Sequence, residues 1–287
     1  MMKKVKTDIA LVGPLSGPRS DYGRMLAQVA DKLKHSEGIE CELFDDEAQP
    51  DAIAACTSQI IGCGARVVVG HLNSFCAMLA APVYLEKGIP LLLPAATKAE
   101  LTHFKNVFRI CPDEGKMLDM MVAVLEKTPR LAVFCDGSRY GAHLLHLLRL
   151  RLGRSFSCVD KSRLVVDTQI DTVLALGVHR NLAELILHLD LNNRSTNVIC
   201  CDDAAVDEFE HMVAQTRQRV SVIYPVGGFE ESVERALRLA DQCMIEAPRE
   251  PMSYLQRHQG FCDREYTMSE FTLRHLDLPN AVVNEFY

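Results

Sequence analysis

The sequence predicts an α/β fold of two doubly wound lobes, each a parallel sheet flanked by helices. Three observations carry this expectation. Apolar runs of strand length alternate with helix-period stretches from Asp8 to Leu93. The alternation restarts at Val107 and runs to Tyr224. The chain has 287 residues, which at roughly 150 per domain leaves room for two lobes. Strand and helix in strict turn mean parallel strands joined by crossover helices.

Element by element, Asp8–Val12 is an apolar run closed by Gly13-Pro14, as a buried strand is. A Gly-, Pro- and Ser-rich loop leads to a helix from about Tyr22, with Met25, Leu26, Val29 and Leu33 at helical spacing. Cys41–Asp45 reads as a strand, Asp51–Gly62 as a helix, Arg66–Gly70 as a strand, Ser74–Lys87 as a helix and Ile89–Leu93 as a strand. In the second block Val107–Ile110 precedes a helix around Met117–Leu125, then strand Leu131–Cys135 and helix Tyr140–Leu150. Arg163–Val166 and Thr172–Leu176 read as strands, followed by helix Asn181–Leu189, strand Asn197–Cys201, a helix near Asp203–Val213 and strand Val220–Tyr224. After Gly228 an amphipathic helix aligns Val233, Ala236, Leu237, Ala240 and Met244 on one face. The domains expected are 7–113 (first lobe), 114–226 (second lobe) and 227–287, a return segment on the first lobe and hinge.

Composition narrows the function classes. The 48% hydrophobic fraction is ample for a core and excludes global disorder. No apolar run approaches the ~20 residues of a membrane-spanning helix, so no membrane insertion is expected. A net charge of −7 without a basic stripe argues against nucleic acid. Lys3 and Lys4 mimic a secretory n-region, but no apolar h-region follows them. Eleven cysteines at scattered spacing, with no Cys-x-x-Cys pair, support neither a zinc ribbon nor a thioredoxin-type site. Such thiols predict a reducing compartment, hence the cytoplasm, the alternative being the periplasm if a leader has been removed.

The spacing carries little reactive chemistry. Gly13-Pro14-Leu15-Ser16-Gly17-Pro18 follows a strand but fails the Rossmann and P-loop patterns. His143 and His146 lie three apart on a helix, where a structural pair outweighs a metal site. Asp45-Asp46-Glu47 reads as a strand-end turn with an Asp capping the next helix rather than a cation site. Cys200 and Cys201, being adjacent on a strand, point to opposite faces. No cofactor, metal or catalytic constellation is expected. Two strand ends hold more: His71-Leu72-Asn73-Ser74 and Pro94-Ala95-Ala96-Thr97. Ligands of open α/β sheets bind beyond the carboxyl ends of strands, and a hydroxyl beside a helix N-terminus suits a small carboxylate. The competing account makes Ser74 and Thr97 mere helix caps.

The ordered set Gly13-Pro14-Leu15-Ser16-Gly17-Pro18, Tyr22-Gly23, Asp45-Asp46 with Pro50, Val69-Gly70-His71-Leu72-x-Ser74, Gly88-Ile89-Pro90 and Pro94-Ala95-Ala96-Thr97 with Glu100-Leu101-Thr102 closely resembles the leucine/isoleucine/valine-binding proteins. These are class I periplasmic solute-binding proteins of amino-acid ABC transporters, whose fold also serves cytoplasmic amide sensors and receptor ectodomains. The resemblance is dense from about Asp8 to Gly115, thins to Phe134-x-Asp136 and Tyr140-Gly141, and is faint after Pro225. It implies a type I periplasmic-binding-protein fold with the ligand in a cleft between lobes. By position, Ser74 and Thr97 receive the ligand carboxylate through hydroxyls and Ala95 through its backbone. Asn73 sits beside them, Tyr22 and Tyr140 line the cleft, and Asp202, with Asp203 as its neighbour alternative, takes the ammonium. A zwitterion needs both partners, because either charge is costly to desolvate alone.

Departures from the family are part of the same reading. Val178 stands where a second-lobe Tyr is frequent, and the second lobe is shortened between Tyr224 and Phe229, with Gly227-Gly228 as the crossing. The implied function is non-catalytic binding of a small amino acid or amide by a cytoplasmic sensor. A regulatory protein partner and a homodimer through first-lobe helices are possible companions. The alternatives are a degenerate binding fold used for protein interaction, and a transport receptor without its leader.

Overall fold

The computed structural model describes residues 8–153, 156–267 and 269–281, which form two compact units. Unit 1 takes the chain up to Glu114 and Gly227–Glu270; unit 2 takes Gly115–Val226 and the segment from Phe271 onward. Lys3, Lys4 and the last residues of the tail lie outside the described residues.

Unit 1 begins with β1 (Ile9–Gly13), α1 (Ser20–Glu37), β2 (Glu42–Asp45), α2 (Ile53–Cys63), β3 (Val67–Val69), α3 (Ser74–Glu86), β4 (Leu91–Leu93) and β5 (Val107–Arg109). In unit 2, α4 (Glu114–Lys127), which starts at the boundary, leads to β6 (Leu131–Cys135), α5 (Arg139–Leu152), β7 (Cys158–Val159), α6 (Lys161–Val166) and β8 (Thr172–Leu176). It continues through α7 (His179–Leu191), β9 (Asn197–Cys200), α8 (Asp207–Val213) and β10 (Arg219–Pro225). The chain then gives unit 1 α9 (Gly228–Glu246), α10 (Pro251–Arg257), β11 (Phe261–Cys262) and β12 (Glu265–Tyr266) before β13 (Phe271–His275) joins unit 2.

The first sheet runs β11-β12-β5-β4-β3-β1-β2 and the second β13-β10-β9-β8-β6-β7. Every pairing is parallel except β11 with β12 and β13 with β10. Within both sheets the order of the first five strands is 2-1-3-4-5, so strand order reverses between β1 and β3 and between β6 and β8. Strands covered on both faces must be apolar throughout, which is why Val67–Val69 and Leu91–Leu93 read as unbroken runs and are fully buried. One core packs Ala10, Val12, Val68, Leu91 and Leu93 against Cys56 and Ile60 of α2 and Ala77, Ala80 and Tyr84 of α3. Leu26, Val29 and Leu33 of α1 and Val233, Ala236, Leu237 and Ala240 of α9 are buried stripes at helical spacing.

The passage from β10 to α9 is immediate. Gly227 and Gly228 both have positive φ (82° and 76°), and a Cβ at Gly227 would lie 2.1 Å from a Glu231 carboxylate oxygen. Both residues take left-handed backbone, which L side chains resist.

Three expectations are corrected. Arg163–Val166 is helical, within α6, and the strand beside β6 is Cys158–Val159. Asp160 decides this: its Oδ1 accepts the Arg163 N–H at 2.8 Å, a helix cap that overrides the β preference of two valines. The helix expected over Asp203–Val213 is a short 3₁₀ turn, Asp202–Ala204, followed by α8. The return segment 227–287 divides: its first part packs in unit 1, while Phe271–His275 pairs antiparallel with β10. An alternating Phe-Thr-Leu-Arg-His run suits the open edge that β10 would otherwise present.

Candidate functional site

In unit 1 the loops after β3 and β4 open at the same carboxyl edge, because both strands are parallel. The cap of α3 is Asn73, not Ser74: its Oδ1 accepts the N–H groups of Phe75 at 2.9 Å and Cys76 at 3.3 Å. Ser74 is therefore released from capping, and its Oγ accepts the Lys98 N–H at 3.4 Å, which ties the two loops together. Thr97 caps no helix either; the 3₁₀ turn Ala99–His103 is preceded by Lys98. Thr97 is buried, and Asn73, Ser74 and Ala95 are half-buried. The structure thus brings Asn73, Ser74, Ala95 and Thr97 to one end of the first sheet. Tyr22 lies in the first turn of α1, 6% exposed, with the Arg19 guanidinium 4.7 Å from its ring centre.

Behind the β3 loop lies a polar strut that the sequence did not announce. His71, Asp46 and Tyr84 are all fully buried. Nδ1 of His71 is 2.7 Å from Asp46 Oδ2 and Nε2 is 3.2 Å from the Tyr84 hydroxyl. Burial, followed by the neighbouring Cys56 thiol and Asp46 carboxylate, pushes the Tyr84 phenol far up, so it keeps its proton beside Nε2. Nδ1–H donates to Asp46. The acidic run at the end of β2 builds a turn instead of capping the next helix: Asp45 Oδ1 accepts the N–H groups of Leu15 (2.9 Å) and Glu47 (2.8 Å), and Asp46 Oδ1 that of Ala48 (3.0 Å).

In unit 2, Asp202 is 3% exposed in the 3₁₀ turn after β9 and accepts a hydrogen bond from the Tyr140 hydroxyl. Burial and then the Asp202 charge raise the Tyr140 phenol well above its ordinary range, which keeps it a donor. Asp203 has a different task. Its Oδ2 accepts the backbone N–H of His179 at 2.8 Å and lies 3.2 Å from the ring Nδ1, anchoring the start of α7. Of the two adjacent acids, Asp202 is the one joined to Tyr140. Val178 occupies the cap position of α7, and its N–H donates to Asp136 Oδ2 at 3.0 Å.

Asp136 is a second residue whose role sequence reasoning missed. It also accepts from the Ser138 N–H (2.9 Å), the Ser138 hydroxyl (2.7 Å) and the Asn181 amide (2.8 Å). These bonds tie the β6–α5 turn to the β8–α7 turn at the reversal point of the second sheet. Gly177 is required there, since a Cβ would lie 2.1 Å from Asp136 Cγ. Of the two helical histidines, His143 is half-buried and His146 exposed.

No family model matches the chain. In sequence it is similar to the leucine-, isoleucine-, valine-, threonine- and alanine-binding protein of Pseudomonas aeruginosa, 29% identical over 147 residues. That match covers 46% of this chain and 39% of the relative, so the similarity spans well under half of the curated protein's length. In structure it is similar to the branched-chain amino acid transporter substrate-binding protein LivJ from Streptococcus pneumoniae, solved with isoleucine (TM-score 0.75, 14% identity, 92% of this chain and 99% of that one). The fold is that of a type I periplasmic binding protein. A second neighbour of this type I periplasmic-binding fold is the leucine-binding protein LivK from Thermotoga maritima, with TM-score 0.70, 17% identity and 85% of both chains covered. The resemblance read from the ordered motifs thus agrees with both comparisons. No helix among the described residues is long and apolar enough to cross a membrane.

Proposed function

We propose that this chain binds a small α-amino acid or a related amide, without chemistry, as a sensor protein. The observation that carries the proposal is the hydrogen bond from Lys98 N–H to Ser74 Oγ, which sets a hydroxyl and two strand-end loops beside the first turn of a 13-residue helix. Such an edge suits a carboxylate: the N-terminus of the helix favours negative charge, and the Ser74 hydroxyl stands beside it. In this reading Ser74, Thr97 and the Ala95 backbone take the carboxylate, with Asn73 and Tyr22 beside them. From unit 2, Asp202 takes the ammonium, with Tyr140 holding its carboxylate in place. The relatives named leucine-, isoleucine- and valine-binding support an aliphatic amino acid as the first probe.

A thermal-shift screen of the purified chain against amino acids, simple amides and small carboxylates tests the proposal. Ligand at 100 times its Kd should add about 2.7 kcal/mol of stability. Ser74→Ala should remove most of that shift while leaving the unliganded melting temperature within about 2 °C, because Ser74 caps nothing. A flat screen, with no small molecule released on denaturation, would replace this reading by the protein-interaction module.

The sensor reading is supported by eleven free cysteines, several of them buried, which suit a reducing cytoplasm. Recovery of the native protein from the periplasmic fraction of its source cells would turn the reading into a transport receptor. A homodimer through unit 1 belongs to the same proposal. It is supported by α2, which has no charged residue, and by α3, whose sole charge is Glu86 and whose Leu79 and Leu85 are exposed. A single-chain mass in sedimentation equilibrium at micromolar concentration would remove the dimer.

A further inference from the structure

Resting on the carboxylate-site reading above, we infer that Arg109 is the positioning residue that holds the β4 loop in its carboxylate-receiving form. Arg109, at the end of β5, is the largest fully buried side chain of the described residues. A buried guanidinium is costly unless its donors are taken up, and here both terminal nitrogens are, while Nε–H has no partner among the described residues. One terminal nitrogen donates to the carbonyls of Thr97 (3.1 Å) and Lys98 (2.5 Å). The other reaches the Ala99 carbonyl and the Thr102 hydroxyl, both at 3.4 Å, and Glu265 Oε1 at 2.5 Å. Three successive carbonyls of one loop therefore converge on a single guanidinium.

The consequence follows from peptide geometry. None of the described peptide bonds is cis, and a trans peptide points its C=O and N–H in opposite directions. When Arg109 draws the Thr97 carbonyl to one side, the N–H of the same peptide, that of Lys98, must point to the other. That is the N–H that reaches Ser74 Oγ. Glu114 reinforces the arrangement, its own N–H donating to the Thr97 carbonyl (2.8 Å) and its carboxylate accepting the Ala99 N–H (3.1 Å). The anion-facing side of the loop is thus set from behind by a cation that need not touch the ligand.

Glu265 fixes the guanidinium in turn. It lies opposite Arg109 in the β5–β12 register, and the Arg109 N–H donates to the Arg264 carbonyl at 2.9 Å. A residue 156 positions away, on the last segment that unit 1 receives, is therefore part of the support of the first strand-end loop.

Hydrogen-exchange mass spectrometry on the full chain, with Arg109→Lys and Glu265→Gln, tests the inference. Lysine keeps the charge but not the fork that spans three carbonyls. Exchange over residues 95–103 should quicken at least ~10-fold in Arg109→Lys and less in Glu265→Gln, with Ile9–Gly13 and Val67–Val69 unchanged. The Kd for L-leucine, or for whichever amino acid the screen selects, should rise at least ~10-fold in the same order. Unchanged exchange over 95–103, or exchange quickened equally across unit 1, would overturn the inference, as would a loosened loop with an unaltered Kd. If the unmutated chain binds no amino acid, the carboxylate reading fails on its own, and the exchange arm still decides whether Arg109 holds the loop. Should Arg109→Lys not fold, Glu265→Gln, which leaves the arginine in place, gives the same comparison.

Discussion

Asp202→Asn is expected to weaken amino-acid binding by some 10²–10³-fold, because a ligand ammonium would enter a buried position without its counter-charge. Removing one partner of a buried pair costs about 3–5 kcal/mol, against about 1.4 kcal/mol per tenfold in Kd. Asparagine keeps the shape of the side chain and still accepts the Tyr140 hydrogen bond, so the fold should be spared. The measurement is titration calorimetry with L-leucine or the best ligand of the screen, run beside a melting curve of each variant. Equal losses of affinity and melting temperature would make Asp202 a structural acid. Asp203→Asn is the contrasting variant: it should loosen the start of α7 and lower stability before it alters affinity, since its carboxylate serves the His179 N–H.

The second large effect concerns stability. His71→Leu should destabilise the protein by about 3–5 kcal/mol, the cost of leaving the fully buried Asp46 carboxylate without its partner. For a protein of this size each kcal/mol is worth roughly 2–4 °C, so the melting temperature should fall by about 6–20 °C. Adding Asp46→Asn to His71→Leu should recover part of the loss, because the uncompensated charge is then gone. A single variant that melts within a degree or two of the unmutated chain would show that the strut carries no weight. Tyr84→Phe should cost less, about 1–2 kcal/mol, as it removes one neutral hydrogen bond.

Much of the fold is legible in the sequence for a simple reason. Parallel strands buried on both faces must be apolar at nearly every position, so Val67–Val69, Leu91–Leu93 and Val173–Leu176 stand out as uninterrupted runs. Where that reason lapses, the reading slips. Val165 and Val166 invite a strand, yet Asp160 three residues before Arg163 is a helix-start signal, and Val166 is 75% exposed, which no buried strand would allow. Phe271–His275 shows an alternating pattern, but only its pairing with β10 makes it an edge strand of the second sheet.

The candidate site divides in the same manner. Ser74 begins α3 just beyond the β3 loop, where the strand-end motif marks it, and Asp202 lies two residues past β9, where the family resemblance marks it. Arg109 ends a strand and His71 and Asp136 follow strands, but their roles depend on partners brought in by the fold: Glu265, Asp46 and Tyr84, and Val178 with Asn181. Local spacing holds no trace of such pairings. A charged residue at the end of an otherwise buried strand is the one clue available, since burial obliges it to find partners somewhere.

The interleaving of the two units bears on how the polypeptide is made. Each is assembled from two stretches of chain, and β13 is translated only after α9, α10, β11 and β12 have been laid down for unit 1. A ribosome emits roughly 5–20 residues per second, so the second sheet waits for several seconds with Val220–Pro225 as a bare apolar edge. During that interval it is a template for intermolecular pairing, and nascent chains interrupted before Phe271 should be the ones that holdase chaperones retain.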